Sequence, residues 1–152
     1  MWDRKILSFW LPAMVALVAL LGALFVLAGC STREGAKNPV VTVVANEWGF
    51  TPSTNSAKAG QITLEVVNQG RAAHEVVVLR ADLAVDALLV EANGAKVNES
   101  ALGQQIVGEV EDIGSGQTKS VTLNLSSGRY VLICNLPGHY KAGMVSELTV
   151  TS

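Results

Sequence analysis

From Val40 onward the chain switches between apolar and polar positions with a period of two. Val40–Ala45 is β-branched and apolar. Ile62, Leu64 and Val66 alternate with Thr63 and Glu65, and Val121, Leu123 and Leu125 alternate with Thr122 and Asn124. That alternation is the mark of half-buried strands. His74 opens a further apolar run, Glu75-Val76-Val77-Val78-Leu79, and Ser126-Ser127-Gly128 turns the chain into Arg129–Cys134. Tyr130, Leu132 and Cys134 share parity on that last strand, so their side chains point to one face. Several short strands separated by turn signals predict an all-β fold, a Greek-key β-sandwich. The stretch Asp82–Ala92 opens on a capping Asp and holds few β-branched residues, which predicts a short helix in a long connecting loop.

The pattern before Val40 is different. Arg4-Lys5 precedes an uncharged apolar run from Ile6 to Gly29, and the next charge is Arg33. A charged start followed by a long apolar stretch is the form of an export signal. The run ends Leu27-Ala28-Gly29-Cys30, which resembles the lipobox of bacterial lipoproteins, where the Cys is lipidated and becomes the new N-terminus. An uncleaved transmembrane anchor is the other reading, since about 20 apolar residues span a bilayer. Both readings tether the remaining chain to a cell membrane on its extracytoplasmic side, periplasmic or outer. The expected organisation is a lipoprotein signal over 1–29, a polar, breaker-rich flexible tether over 30–39, and one domain over 40–152.

Charge and donor counts narrow the chemistry. From Cys30 onward there are 9 Lys or Arg against 12 Asp or Glu, a net −3 with His neutral. With no basic cluster and no Gly-rich phosphate loop, nucleic acid is not an expected partner. The same segment contains one Met (Met144), two His (His74 and His139) and, besides Cys30, one Cys (Cys134). Exported proteins seldom leave an odd thiol free; lipidation of Cys30 would leave Cys134 without a disulfide partner, and metal ligation gives it a role. Cys134, His139 and Met144 lie five residues apart on one short loop, Cys134-Asn135-Leu136-Pro137-Gly138-His139-Tyr140-Lys141-Ala142-Gly143-Met144. A lone Met beside a strand is usually core packing, and a lone His is usually structural. Together, a thiolate, two imidazoles and a thioether are the donors of a trigonal His₂Cys copper site with a weak axial Met. Structural zinc, the main rival, takes Cys and His, and Met is not among its usual ligands.

These residues also carry a resemblance. Cys-x4-His-x4-Met before a final strand, with a His about sixty residues upstream, resembles the cupredoxins, the blue copper proteins. Gly143-Met144-Val145 with Leu148-Thr149-Val150 is similar to the end of plastocyanin. The four-residue gap between Cys134 and His139, and the long insertion after His74, look more like auracyanin, azurin and sulfocyanin. The resemblance implies one copper cycling between Cu(I) and Cu(II), and a one-electron carrier rather than an enzyme. Both histidines are already used, so neither is left for the second copper centre of a nitrite reductase or multicopper oxidase. An extracytoplasmic copper chaperone or storage protein is the alternative function.

Further roles follow from the resemblance. Asn135 would tie the ligand loop to the strand bearing His74. Glu75 stands where the family commonly has Asn, so a Glu75–Asn135 contact is one replacement. The edge of His139 would reach the surface inside an apolar patch of Leu136, Pro137, Tyr140 and Ala142. Donor and acceptor redox proteins would dock there, with the carrier acting as a monomer.

Overall fold

The computed structural model describes residues 37–80 and 88–152. The expected signal, Cys30 and the tether as far as Ala36 lie outside the described residues. Among the described residues, nine strands form two sheets. The first, in the order β2-β1-β4-β7, is built from β1 (Val40–Asn46), β2 (Gly49–Pro52), β4 (Gly60–Asn68) and β7 (Thr118–Leu125). The second, in the order β3-β9-β8-β5-β6, is built from β3 (Ser56–Lys58), β5 (His74–Arg80), β6 (Ile106–Ile113), β8 (Gly128–Ile133) and β9 (Val145–Thr151). Both sheets are mixed. β1 runs parallel to β4 with Val43 opposite Val66, β3 runs parallel to β9, and the other pairings are antiparallel.

The period-two pattern explains the first sheet. Val41, Val43 and Ala45 on β1 and Ile62, Leu64 and Val66 on β4 are buried, while the residues between them are half-exposed. They face Val76, Val78, Tyr130, Leu132, Leu148 and Val150 of the second sheet across the main core. β5 and β8 break the alternation because both of their faces are covered. Val77, Leu79, Val131 and Ile133 point away from the main core into a second cluster with Leu88, Val97, Leu102 and Tyr140. Strands buried on both faces read as continuous apolar runs rather than alternating ones, which accounts for Val76–Leu79 and Tyr130–Ile133. Neighbours on β8 therefore serve different purposes: Tyr130, Leu132 and the following Cys134 pack inward, while Val131 and Ile133 hold the long connection against the outside of the sheet.

More than half of the helix expected over Asp82–Ala92 lies outside the described residues. Residues 82–87 fall outside the described residues, and 88–92 are not helical; Val90 instead bridges Val97. Among the described residues of this connection, a helix forms at α1 (Glu99–Leu102), followed by a single 3₁₀ turn over Gly103–Gln105. Asn98 caps it, its side-chain oxygen accepting from the Ala101 N–H at 3.2 Å. Leu102 anchors it in the second cluster. A capping Asn and one buried Leu decide the position of so short a helix.

Candidate metal centre

Two chain segments meet at one end of the sandwich. His74 is the first residue of β5 and is fully buried. Its approach is fixed by Asn68, a buried side chain at the end of β4. The Asn68 amide donates to the carbonyls of Ala72 (2.7 Å) and Ile113 (2.8 Å), and its oxygen accepts from the Gly70 N–H (2.8 Å). Ser115 adds a bond to the Gly70 carbonyl at 2.7 Å. The segment from Gln69 to Ala73 is thus held from inside before it delivers His74.

The second segment is the loop after β8. Cys134 follows Ile133 and is buried, with parity that turns its sulfur inward. Its N–H donates to the Met144 carbonyl (3.1 Å), and the Met144 N–H donates to the His139 carbonyl (3.1 Å). The His139 N–H donates to Leu136 (3.0 Å), and the Gly138 N–H to Ala95 of the long connection (2.7 Å). This curl needs left-handed backbone at Gly138 (φ 84°) and Gly143 (φ 102°), which glycine adopts at little cost.

The donor atoms converge. His74 Nδ1 lies 3.9 Å and His139 Nδ1 3.2 Å from Cys134 Sγ, and all three donors fall within 4.8 Å of one another. Metal–nitrogen and metal–sulfur bonds of about 2.0–2.3 Å in a plane would set ligand atoms roughly 3.5–3.8 Å apart, and the two sulfur contacts bracket that spacing. The two imidazoles are inclined at 60° with centroids 5.2 Å apart. Met144, fully buried, packs in the same core cluster as Cys134. His74 Nε2 is buried with no hydrogen-bond partner, which leaves the Nδ1 side of the ring as its polar edge toward the cluster. The residues present fit a copper ion: one soft anionic donor, two imidazoles and a thioether on the same loop.

Burial dominates the electrostatics of the three donors. Burial raises the Cys134 thiol above its ordinary value; backbone N–H groups of Glu75 and Leu136 oppose that shift, and the Glu75 carboxylate adds to it. Burial lowers both histidines, His74 further through the nearby His139 and with partial opposition from Glu47. All three shifts favour the uncharged forms, and a bound cation would stabilise the thiolate.

Glu75 is half-buried, and burial raises its carboxyl, which faces the Asn135 backbone N–H. The hydrogen bonds of the Asn135 side chain go to the long connection rather than to β5. It pairs with the backbone of Val97, accepting at 2.6 Å and donating at 3.1 Å, and donates to Glu99 at 2.5 Å. Asn135 thus binds the ligand loop to the long connection, and the contact to the His74 strand runs through its backbone.

At the surface, His139 is half-exposed, Pro137 and Ala142 are exposed, and Leu136 leans partly onto the main core. Tyr140 departs from the expected patch: it is buried in the second cluster, its phenol oxygen accepting from the Leu88 N–H at 3.2 Å. The long connection folds over that side of the loop and covers it. A residue the sequence reading passed over, Trp48, stands at the edge instead, 63 % exposed, with its ring 5.8 Å from His139 at 70°. Nothing in the local pattern marks Trp48, since only the fold brings the β1–β2 turn beside the ligand loop.

A β-sandwich that gathers Cys, two His and a loop Met at one end defines a class of metalloprotein, and the family model of the cupredoxin-like domain matches residues 17–146. The chain belongs to that family. No curated protein matches it in sequence. Among solved structures, auracyanin from the photosynthetic bacterium Roseiflexus castenholzii is similar at 22 % identity and TM-score 0.58, over 78 % of this chain and all of that one (100 %). Auracyanin B matches at 28 % identity and TM-score 0.56, over 75 % of this chain and 89 % of that one. Auracyanin A of Chloroflexus aurantiacus, a "blue" copper protein, matches at 23 % identity and TM-score 0.52, over 74 % of this chain and 99 % of that one.

Proposed function

We propose that this protein is a membrane-tethered blue copper protein that carries single electrons between redox partners outside the cytoplasm. The observation that carries the reading is the convergence of His74 Nδ1, His139 Nδ1 and Cys134 Sγ within 4.8 Å. Met144, buried at the end of the same loop, would supply a further, weak thioether donor. Copper bound there supplies a one-electron Cu(I)/Cu(II) couple in a ligand set that suits both states. Two constraints on the chain keep the donors in place between states: the Asn68 bonds behind His74, and the backbone bonds joining Cys134, Met144 and His139. Glu75 and Leu136 aim N–H groups at the sulfur and so share its negative charge.

The half-exposed edge of His139 is the proposed exit, with Leu136, Pro137 and Ala142 around it for docking of donor and acceptor proteins. Transient redox complexes bury little area, so a small patch suffices. The apolar run from Ile6 to Gly29 and Leu27-Ala28-Gly29-Cys30 support export and lipidation at Cys30.

The test is a reversible redox titration of the copper-loaded full-length chain in detergent. An intense visible band that appears and bleaches with one electron per copper is the expected result. A colourless protein that binds only Cu(I) would point to delivery or storage of copper instead.

A further inference from the structure

The turn joining β1 to β2 consists of two residues, Glu47 and Trp48, and it meets the surroundings of both histidines. Trp48 sets its ring against His139 at 5.8 Å and 70°. Its carbonyl oxygen lies 3.8 Å from where a Cβ on Gly143 would stand, so the turn rests on the ligand loop itself. One residue earlier, the Glu47 carboxylate accepts a hydrogen bond from the Arg71 N–H, in the segment that leads to His74. Gly70 shows how closely these groups meet. A Cβ there would stand 3.1 Å from Glu47 Oε2, 3.2 Å from the Glu47 nitrogen and 3.2 Å from His74 Nε2. The carboxylate and the imidazole therefore share the space that this glycine leaves open.

His139 most needs such support. The short loop holds it from one side, it is half-exposed, and its ring would otherwise turn about its last side-chain bond, a broad torsion. An edge-on indole restricts that rotation and keeps Nδ1 directed at Cys134 Sγ. On the other side, Asn68 holds the 69–73 segment from within and Glu47 holds it from outside. We propose that the Glu47–Trp48 turn is the outer wall of the metal centre, with Trp48 the positioning residue for the His139 ring and Glu47 the positioning residue for the segment that ends in His74. The inference deepens the electron-carrier reading and rests on it for its consequence, which is slow loss of the metal and little ligand movement between redox states.

The experiment has one arm with metal and one without, both on the full-length chain in detergent. In the metal-free protein, proton NMR should give a cross-relaxation peak between the Trp48 indole and the His139 ring, and Trp48→Ala should replace a fixed ring by an averaged one. Absence of that peak in the native chain overturns the inference whatever the protein does with copper. In the copper-loaded protein, groups that orient ligands typically govern metal retention by 10–100-fold, so Trp48→Ala and Glu47→Ala should each speed removal of copper by a chelator by about tenfold or more. Trp48→Phe, which keeps an aromatic edge, and Glu47→Gln, which keeps an acceptor for Arg71, should stay near the native rate. Unchanged release in both alanine variants, or conservative variants as fast as the alanines, overturns the assignment. A native chain that takes up no copper refutes the electron-carrier reading, and the NMR arm then still decides the positioning claim.

Discussion

The two histidines of the site are held by different means. His74 begins a strand, is fully buried, and is preceded by a segment tied down through three bonds to the buried Asn68 side chain. His139 sits in the middle of a short loop, half-exposed, supported by backbone bonds within the loop and by the exposed indole of Trp48. Cys134 Sγ lies between them, 3.9 Å from one ring and 3.2 Å from the other. One imidazole is thus part of the sandwich and the other belongs to its surface. The difference teaches how one site meets two demands. A buried, over-determined ligand fixes geometry, and in the proposed function a ligand with an exposed edge would give a partner a short route to the metal.

The two rings share one neighbour, the Cys134 sulfur, and its loss should have the largest effect. Cys134→Ser should remove the intense visible absorption and sharply reduce Cu(I) affinity, read by absorption and by competition with a Cu(I) chelator. The fold should survive, because two core clusters pack independently of the metal. Asn68→Ala tests the buried side alone. It strips partners from the Gly70 N–H and from the Ala72 and Ile113 carbonyls, and unsatisfied buried groups cost about 1–3 kcal/mol each. Denaturant unfolding of the metal-free chain should show a loss of about 2–3 kcal/mol or more, and NMR should show broadening at His74 before His139. On the exposed side, Ala142→Glu should slow electron transfer to a protein partner severalfold, because charges at a docking rim act mainly on association rate. Its optical spectrum should stay near native, since Ala142 is exposed and supplies no donor.

The smallest effect concerns pH. Burial holds both histidines below their ordinary value, so the unfolded chain takes up protons first as pH falls. Stability of the metal-free protein is then full above the unfolded value of about 6.5 and declines as pH drops from there toward the lower folded values. Thermal unfolding at pH 7.5 and pH 5.5, values chosen as roughly one unit either side of that midpoint, should give the lower midpoint at the acidic pH. Because His74 is the more deeply buried, replacing it should flatten this dependence more than replacing His139.

Much of the site was legible in the sequence because three of its donors sit on one contiguous loop. Cys134, His139 and Met144 declare themselves by residue type and spacing, and His74 is the one imidazole left. The strands carrying the main core were legible for a similar reason, since Ile62, Leu64 and Val66 alternate with polar neighbours. What the sequence hid depends on contacts between distant segments. Asn68, Glu47 and Trp48 are ordinary residues until the fold sets β1, β4 and the β1–β2 turn around the histidines. Tyr140 reads as an apolar flank of a surface histidine, yet the long connection buries it with Leu88 and Val97. The same connection captured Asn135, whose side chain bonds Val97 and Glu99. A helix of one turn, such as Glu99–Leu102, is placed by one cap and one buried side chain, and propensity summed over a longer window cannot find it.

The central claim is that one thiolate and two imidazoles, drawn from a strand and a loop, hold a single copper ion. X-ray absorption at the copper edge of the loaded, oxidised full-length chain tests it most directly. One short copper–sulfur bond and two imidazole nitrogens are expected, with the sulfur contribution missing in Cys134→Ser. A copper environment of nitrogen and oxygen alone in the native chain would contradict it.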